Sequence, residues 1–155
     1  MRYPPAYHIT WGTYGMRLPG TDQPYVNLEH NTYGTPLPKA DPLRERWARD
    51  HMKGEPATLE LDQRKEVEKA LVDFCARYDW KIHAIAAQSD HVHIVVTAPR
   101  EGEPLRDALK AAASRFLNPK YGKKTRWAEN GSARYLWEPE YFTNAVNYVT
   151  EQRDF

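Results

Sequence analysis

The stretch 80–98, WKIHAIAAQSDHVHIVVTA, carries the strongest structural signal in the chain. Residues 80–88, WKIHAIAAQ, and 91–98, HVHIVVTA, read as two strands, and Ser89-Asp90 between them suits a tight antiparallel hairpin. Strand side chains alternate, so Val92, Ile94 and Val96 share one face while His91 and His93 share the other. At about 3.3 Å of rise per residue the two histidine Cα atoms stand roughly 6.5–7 Å apart, a spacing from which two imidazoles can converge on one metal ion. Two unrelated surface histidines would give the same three-residue pattern.

The elements on either side extend this unit. Residues 5–14, PAYHITWGTY, read as a first strand. Residues 15–45 carry Gly15, Pro19, Gly20, Pro24, Gly34, Pro36, Pro38 and Pro42, the marks of a long irregular loop. A helix is predicted over 58–77, with Thr58 as N-cap and Leu59, Leu61, Val67, Ala70, Leu71 and Phe74 near helical spacing. After the hairpin, Pro104 suits the first turn of a second helix with Leu105, Leu109, Ala112, Ala113 and Phe116 as its apolar stripe; Asn118-Pro119 should end it. Residues 119–132 then read as a loop, 133–137 (ARYLW) as a short strand, and Pro139 opens a final helix that buries Phe142, Val146 and Val149. The first six elements match a ferredoxin-like split βαβ sheet, an α+β fold. Helices cover one face of such an antiparallel sheet. The other face stays open to a partner, a ligand or a further helix.

At 155 residues the chain suits one domain, 1–155, with 15–45 as a loop insertion. It is 41% hydrophobic and 28% charged, as ordinary globular proteins are. No run of 18 apolar residues suggests a membrane span, and MRYPPAYHITWGTYG is not a secretory signal. Cys75, the only cysteine, rules out an internal disulfide and a cysteine-based zinc cluster and fits a cytoplasmic location. The net charge is +1, but Lys110, Arg115, Lys120, Lys123, Lys124 and Arg126 form a segment without an acid. That segment suits a phosphate backbone, or simply a solvated helix face and loop. Tyr121 and Trp127 beside it suit either base stacking or core packing.

On the final helix Tyr148 and Gln152 are four residues apart and share a face. Tyrosine attacks only after losing its proton, which a nearby cation or base must assist, and a glutamine amide oxygen can complete a cation's shell. A tyrosine with its ring packed and its hydroxyl in water fits the same position.

Taken together, YHITWGTYG near the start, SDHVHIVV and WEPEYFTNAVNYVTEQ resemble the single-tyrosine HUH transposases, the insertion-sequence and REP-associated types. His91-Val92-His93 matches the histidine–hydrophobic–histidine motif, and Tyr148 with Gln152 matches the late nucleophile and the glutamine one turn on. The resemblance covers most of the chain outside 15–45. It implies that His91, His93 and Gln152 hold Mg²⁺ or Mn²⁺ and that Tyr148 attacks single-stranded DNA to form a 5′-phosphotyrosine link. It also implies recognition of DNA hairpins, phosphate contacts from the basic segment and a homodimer. Two departures stand out. Asp90 replaces the asparagine common before the first histidine, and the chain stops at Phe155, where the last helical turn should fray. The rival readings are a non-catalytic or domesticated nucleic-acid-binding domain of the same fold, and a metallohydrolase using His91, His93 and Asp90 with water as nucleophile. Tyr135 and Tyr141 are the alternative nucleophiles.

Overall fold

The computed structural model describes residues 3–15, 43, 46 and 56–155. The Pro/Gly-rich stretch 15–45 therefore lies outside the described residues, except for residues 15 and 43. The elements in chain order are β1 (Tyr7–Gly12), α1 (Leu61–Arg77), β2 (Lys81–Ala87), β3 (His91–Thr97), α2 (Gly102–Tyr121), β4 (Ser132–Tyr135) and α3 (Pro139–Gln152). The strands form one antiparallel sheet in the order β2-β3-β1-β4, the expected ferredoxin-like arrangement.

Side-chain alternation decides what each face carries. Ile9 and Trp11 of β1 and Val92, Ile94 and Val96 of β3 are buried against Val67, Leu71 and Cys75 of α1 and Leu105, Leu109, Ala113 and Leu117 of α2. The opposite face is partly covered by α3. There Ala86 and Val95 pack with Leu136, Ala145 and Val149, flanked by Phe142 and Val146. Of the three uses open to the second face, part is thus taken by a further helix. Among the described residues no helix is long and apolar enough to cross a membrane.

Several expectations are corrected. Helix α1 starts at Leu61 with Glu60 as its N-cap, not at Thr58, and the Gln63 side chain accepts from the Glu60 N–H at 2.9 Å. Upstream, the Ala57 N–H is committed to the Tyr14 carbonyl at 2.7 Å and the Leu59 N–H to Ser89 at 2.8 Å, so this segment is extended. In α2 the buried position is Leu117, while Phe116 is exposed. Both stand at helical spacing from Ala113, and the chain turns Leu117 inward. Asn118-Pro119 does not stop α2, which runs to Tyr121. A proline this close to the end removes only one ladder bond. Gly122 ends the helix with φ 87, a backbone state that side-chain-bearing residues rarely adopt, and its N–H bonds the Asn118 carbonyl at 2.9 Å. Strand β4 begins one residue earlier than predicted, at Ser132, and its pairing with β1 ends at Tyr135. Just before it, Gly131 has φ 125, and a Cβ there would meet the Thr10 carbonyl oxygen at 2.5 Å. The tight approach lets β4 dock against β1.

The end of α3 is tied down rather than frayed. Arg153 donates from Nε to Glu68 Oε1 at 3.0 Å, Arg64 pairs with Asp154, and both arginines lie over the Phe155 ring.

Candidate active site

The strip of sheet left beside α3 is polar. On β3 it presents His91 and His93, 7% and 5% exposed, with ring centroids 4.5 Å apart and planes at 85°. The register pairs Thr10 of β1 directly with His93, so His8, two residues earlier, lies diagonally across on the same face. His8 Nε2 is 3.2 Å from His93 Nδ1, and Thr10 Oγ1 is 3.1 Å from His93 Nδ1 and 3.3 Å from His8 Nε2. Burial, with the charge of Arg134 second, pushes the His8 pKa down to about 4, so this ring is neutral near pH 7. Arg134 is the β4 partner of His8 and brings a positive charge to this edge.

His91 is held differently. Its Nδ1 lies 2.6 Å from Asp90 Oδ1 in the β2–β3 turn. Donation from Nδ1 to the carboxylate leaves the ring's lone pair on Nε2, the arrangement common to metal-binding histidines.

Helix α3 brings Tyr148 to the histidines. Ala145 and Val149 fix the helix on the sheet. Tyr148, between those two anchors, places its ring edge-on to His93, 5.4 Å between centroids and 86° between planes, and 6.0 Å from His8. The residue remains 46% exposed, so solvent or a ligand can still reach it. Gln152 meets the site through Gln88, whose Nε2 donates to the Gln152 carbonyl at 2.6 Å and lies 3.2 Å from Gln152 Oε1. The Gln88 N–H in turn bonds the His91 carbonyl at 2.8 Å.

Among the described residues no three His, Cys, Asp or Glu side chains come together as a metal-holding group. Of the three ligands expected from the sequence, the structure brings His91 and His93 together, while the Gln152 amide oxygen lies 3.2 Å from Gln88 Nε2.

The six basic residues separate into two groups. Lys110 turns its ammonium onto the Ala128 and Asn130 carbonyls, both at 2.8 Å, and burial with the nearby Arg106 charge pushes its pKa down to about 8. Arg126, 3% exposed, bonds Asn118 Oδ1 at 2.7 Å and the Gly122 carbonyl at 3.0 Å. These two brace the α2–β4 loop from inside. Arg115, Lys120, Lys123 and Lys124 are exposed, with Lys120 paired to Glu66. Trp127 packs edge-on against Trp11 and donates to the Lys110 carbonyl at 2.9 Å, and Tyr121 packs against the core. The loop adjoins the site: Thr13 bonds the Asp90 carbonyl at 2.9 Å, and Tyr14 bonds that of Arg126 at 2.9 Å.

His8, Thr10, Gln88 and Arg134 are absent from the residues singled out by sequence. The period-2 pair His8 and Thr10 was the available signal, but it needs the β1–β3 register to connect it with His93.

A family profile described as "Transposase IS200 like" matches residues 52–153. The fold is similar to the solved structure of a REP-associated tyrosine transposase bound to a REP hairpin, with a TM-score of 0.51 and 12% identity over 96% of this chain and 68% of that one. It is also similar to a candidate transposase from Deinococcus radiodurans R1, with a TM-score of 0.48 and 14% identity over 100% of this chain and 95% of that one. No curated protein sequence matches the chain.

Proposed function

The chain belongs to the IS200-like transposase family, and from that premise we propose that it cuts and rejoins single-stranded DNA by transesterification through Tyr148. The observation that carries this reading is the Tyr148 ring resting edge-on against His93 while 46% of the residue stays exposed. A tyrosine serving only as packing has no need of a buried histidine pair beside it.

In this mechanism the scissile phosphate lies between Tyr148 and the two histidines. The Tyr148 proton leaves to solvent, a bond forms from its phenolic oxygen to phosphorus, and the bond to the 3′ oxygen breaks. That oxygen takes a proton from solvent and departs as a 3′-hydroxyl, and the 5′ phosphate stays on the protein. A 3′-hydroxyl from another strand reverses the step, so joining needs no ATP. His91, His93 and Gln152 would hold Mg²⁺ or Mn²⁺, which when bound polarises a non-bridging phosphate oxygen and offsets charge developing in the transition state. Asp90 orients His91 through Nδ1, and Arg134 adds positive charge to the strip.

Strand binding falls to Arg115, Lys120, Lys123 and Lys124, which are exposed, while Lys110 and Arg126 hold the loop that presents the lysines. The solved relative bound to a REP hairpin supports extending hairpin recognition to this chain. We further take residues 1–155 to act as one domain and to work as a homodimer in the cytoplasm.

The test is incubation with Mn²⁺ and labelled single-stranded oligonucleotides carrying palindromes from the flanks of the gene. A covalent adduct that vanishes in Tyr148→Phe supports the reading. Cleavage that survives Tyr148→Phe and is lost in His91→Ala points to hydrolysis by water instead.

A further inference from the structure

We propose that His8, together with Thr10, is a positioning residue that holds His93 with its proton on Nδ1, so that Nε2 is the ligand nitrogen. The inference rests on the metal-holding role proposed for His93.

Two imidazole nitrogens 3.2 Å apart, His8 Nε2 and His93 Nδ1, share one hydrogen between them. If His93 donates it, the lone pair of that ring moves to Nε2. If His8 donates it, neutral His93 must carry its proton on Nε2 and cannot ligate through that atom. A ligand role for His93 through Nε2 selects the first arrangement. It is geometrically complete, because the His93 Nδ1–H lies within reach of both His8 Nε2 and Thr10 Oγ1, at 3.2 and 3.1 Å, and the Thr10 hydroxyl at 3.3 Å can donate to His8.

All three groups are set by the sheet. Thr10 is the direct β1 partner of His93, and His8 is its diagonal neighbour. His8 and His93 are 4% and 5% exposed, so exchange of this bond for water is limited. Tyr148 closes over both rings, at 5.4 and 6.0 Å. His8 therefore does for His93 what the Asp90 carboxylate does for His91, and both rings are held at Nδ1.

The test uses the full chain, ¹⁵N-labelled at histidine and free of metal. Long-range ¹⁵N–¹H correlation reads the His93 tautomer, and electron paramagnetic resonance follows a parallel titration with Mn²⁺ alone. Wild type is expected to show His93 protonated at Nδ1. His8→Phe keeps a ring but removes the acceptor. It should shift the tautomer toward Nε2–H and weaken Mn²⁺ binding by about tenfold to a hundredfold, with thermal unfolding confirming a folded chain. His8→Gln, whose amide oxygen restores an acceptor, should recover the Nδ1–H tautomer and part of the affinity. His93 protonated at Nε2 in wild type, or a tautomer unchanged in His8→Phe, overturns the proposal. If wild type does not bind Mn²⁺, the metal reading falls, and the tautomer comparison alone still upholds or overturns the role of His8.

Discussion

Gln88, in the turn that leads to His91, donates its side-chain amide to the backbone carbonyl of Gln152 at 2.6 Å. One side chain thereby joins the last turn of the tyrosine-bearing helix to the strand bearing the histidines. The apolar contacts of Ala145 and Val149 set how far α3 sits from the sheet. The Gln88 bond sets where its end lies along the sheet.

Gln88→Leu should therefore act on both stability and rate. Loss of the bond is expected to cost about 1 kcal/mol in urea unfolding. The rate of covalent adduct formation at saturating Mn²⁺ should fall by about tenfold to a hundredfold, because small misplacements of reacting groups are expensive. An unchanged rate with lowered stability would confine Gln88 to a structural role.

Asp90→Asn removes the carboxylate 2.6 Å from His91 Nδ1. An amide oxygen still accepts a hydrogen bond but lacks the charge that makes the ring a better donor to a metal. Mn²⁺ affinity should drop by about tenfold in calorimetry, with cleavage recovering at higher Mn²⁺. Equal affinity in the two proteins would show that the carboxylate is dispensable.

Lys110 supplies a pH dependence of stability. Its pKa is pushed from the ordinary 10.5 down to about 8, first by burial. Below pH 8 both the folded and the unfolded chain carry the charge, and the cost of burying it is in full force. Between about 8 and 10.5 the unfolded chain keeps a proton that the folded chain has released, so this group's contribution to stability rises with pH. Urea unfolding of wild type against Lys110→Met at pH 7 and pH 9.5 should show the difference moving in favour of wild type at the higher pH.

The exposed cations predict a salt signature. Replacing Lys123 and Lys124 with alanine should flatten the slope of log affinity against log salt by roughly 0.7 for each phosphate that is no longer neutralised. Fluorescence anisotropy with a single-stranded oligonucleotide measures this. Arg126→Ala should instead show its main effect as a drop in thermal stability, because its guanidinium holds Asn118 and Gly122.

The sequence made some of this legible and hid the rest for physical reasons. The hairpin, the face shared by His91 and His93 and the opposite face of Val92, Ile94 and Val96 follow from period-2 alternation alone. The site partners His8 and Thr10 do not, because a partner across a sheet depends on register, which a single strand does not encode. Thr58 looked like a cap because local chemistry favours threonine there, but the Leu59 N–H is claimed by Ser89, distant in sequence. The inward turn of Lys110 and Arg126 was hidden likewise: three of their four acceptors are backbone carbonyls, of Ala128, Asn130 and Gly122, which composition does not reveal. Most of residues 15–45 lies outside the described structure.

The most direct measurement of the central claim is mass-spectrometric mapping of the trapped protein–DNA adduct. Protein treated with Mn²⁺ and the palindrome-bearing oligonucleotides is digested with protease and nuclease, and the modified peptide is sequenced. The account predicts one nucleotide-bearing tyrosine, Tyr148, linked through a 5′ phosphate. Modification at Tyr135 or Tyr141 with Tyr148 unmodified, or a link through a 3′ phosphate, would contradict it.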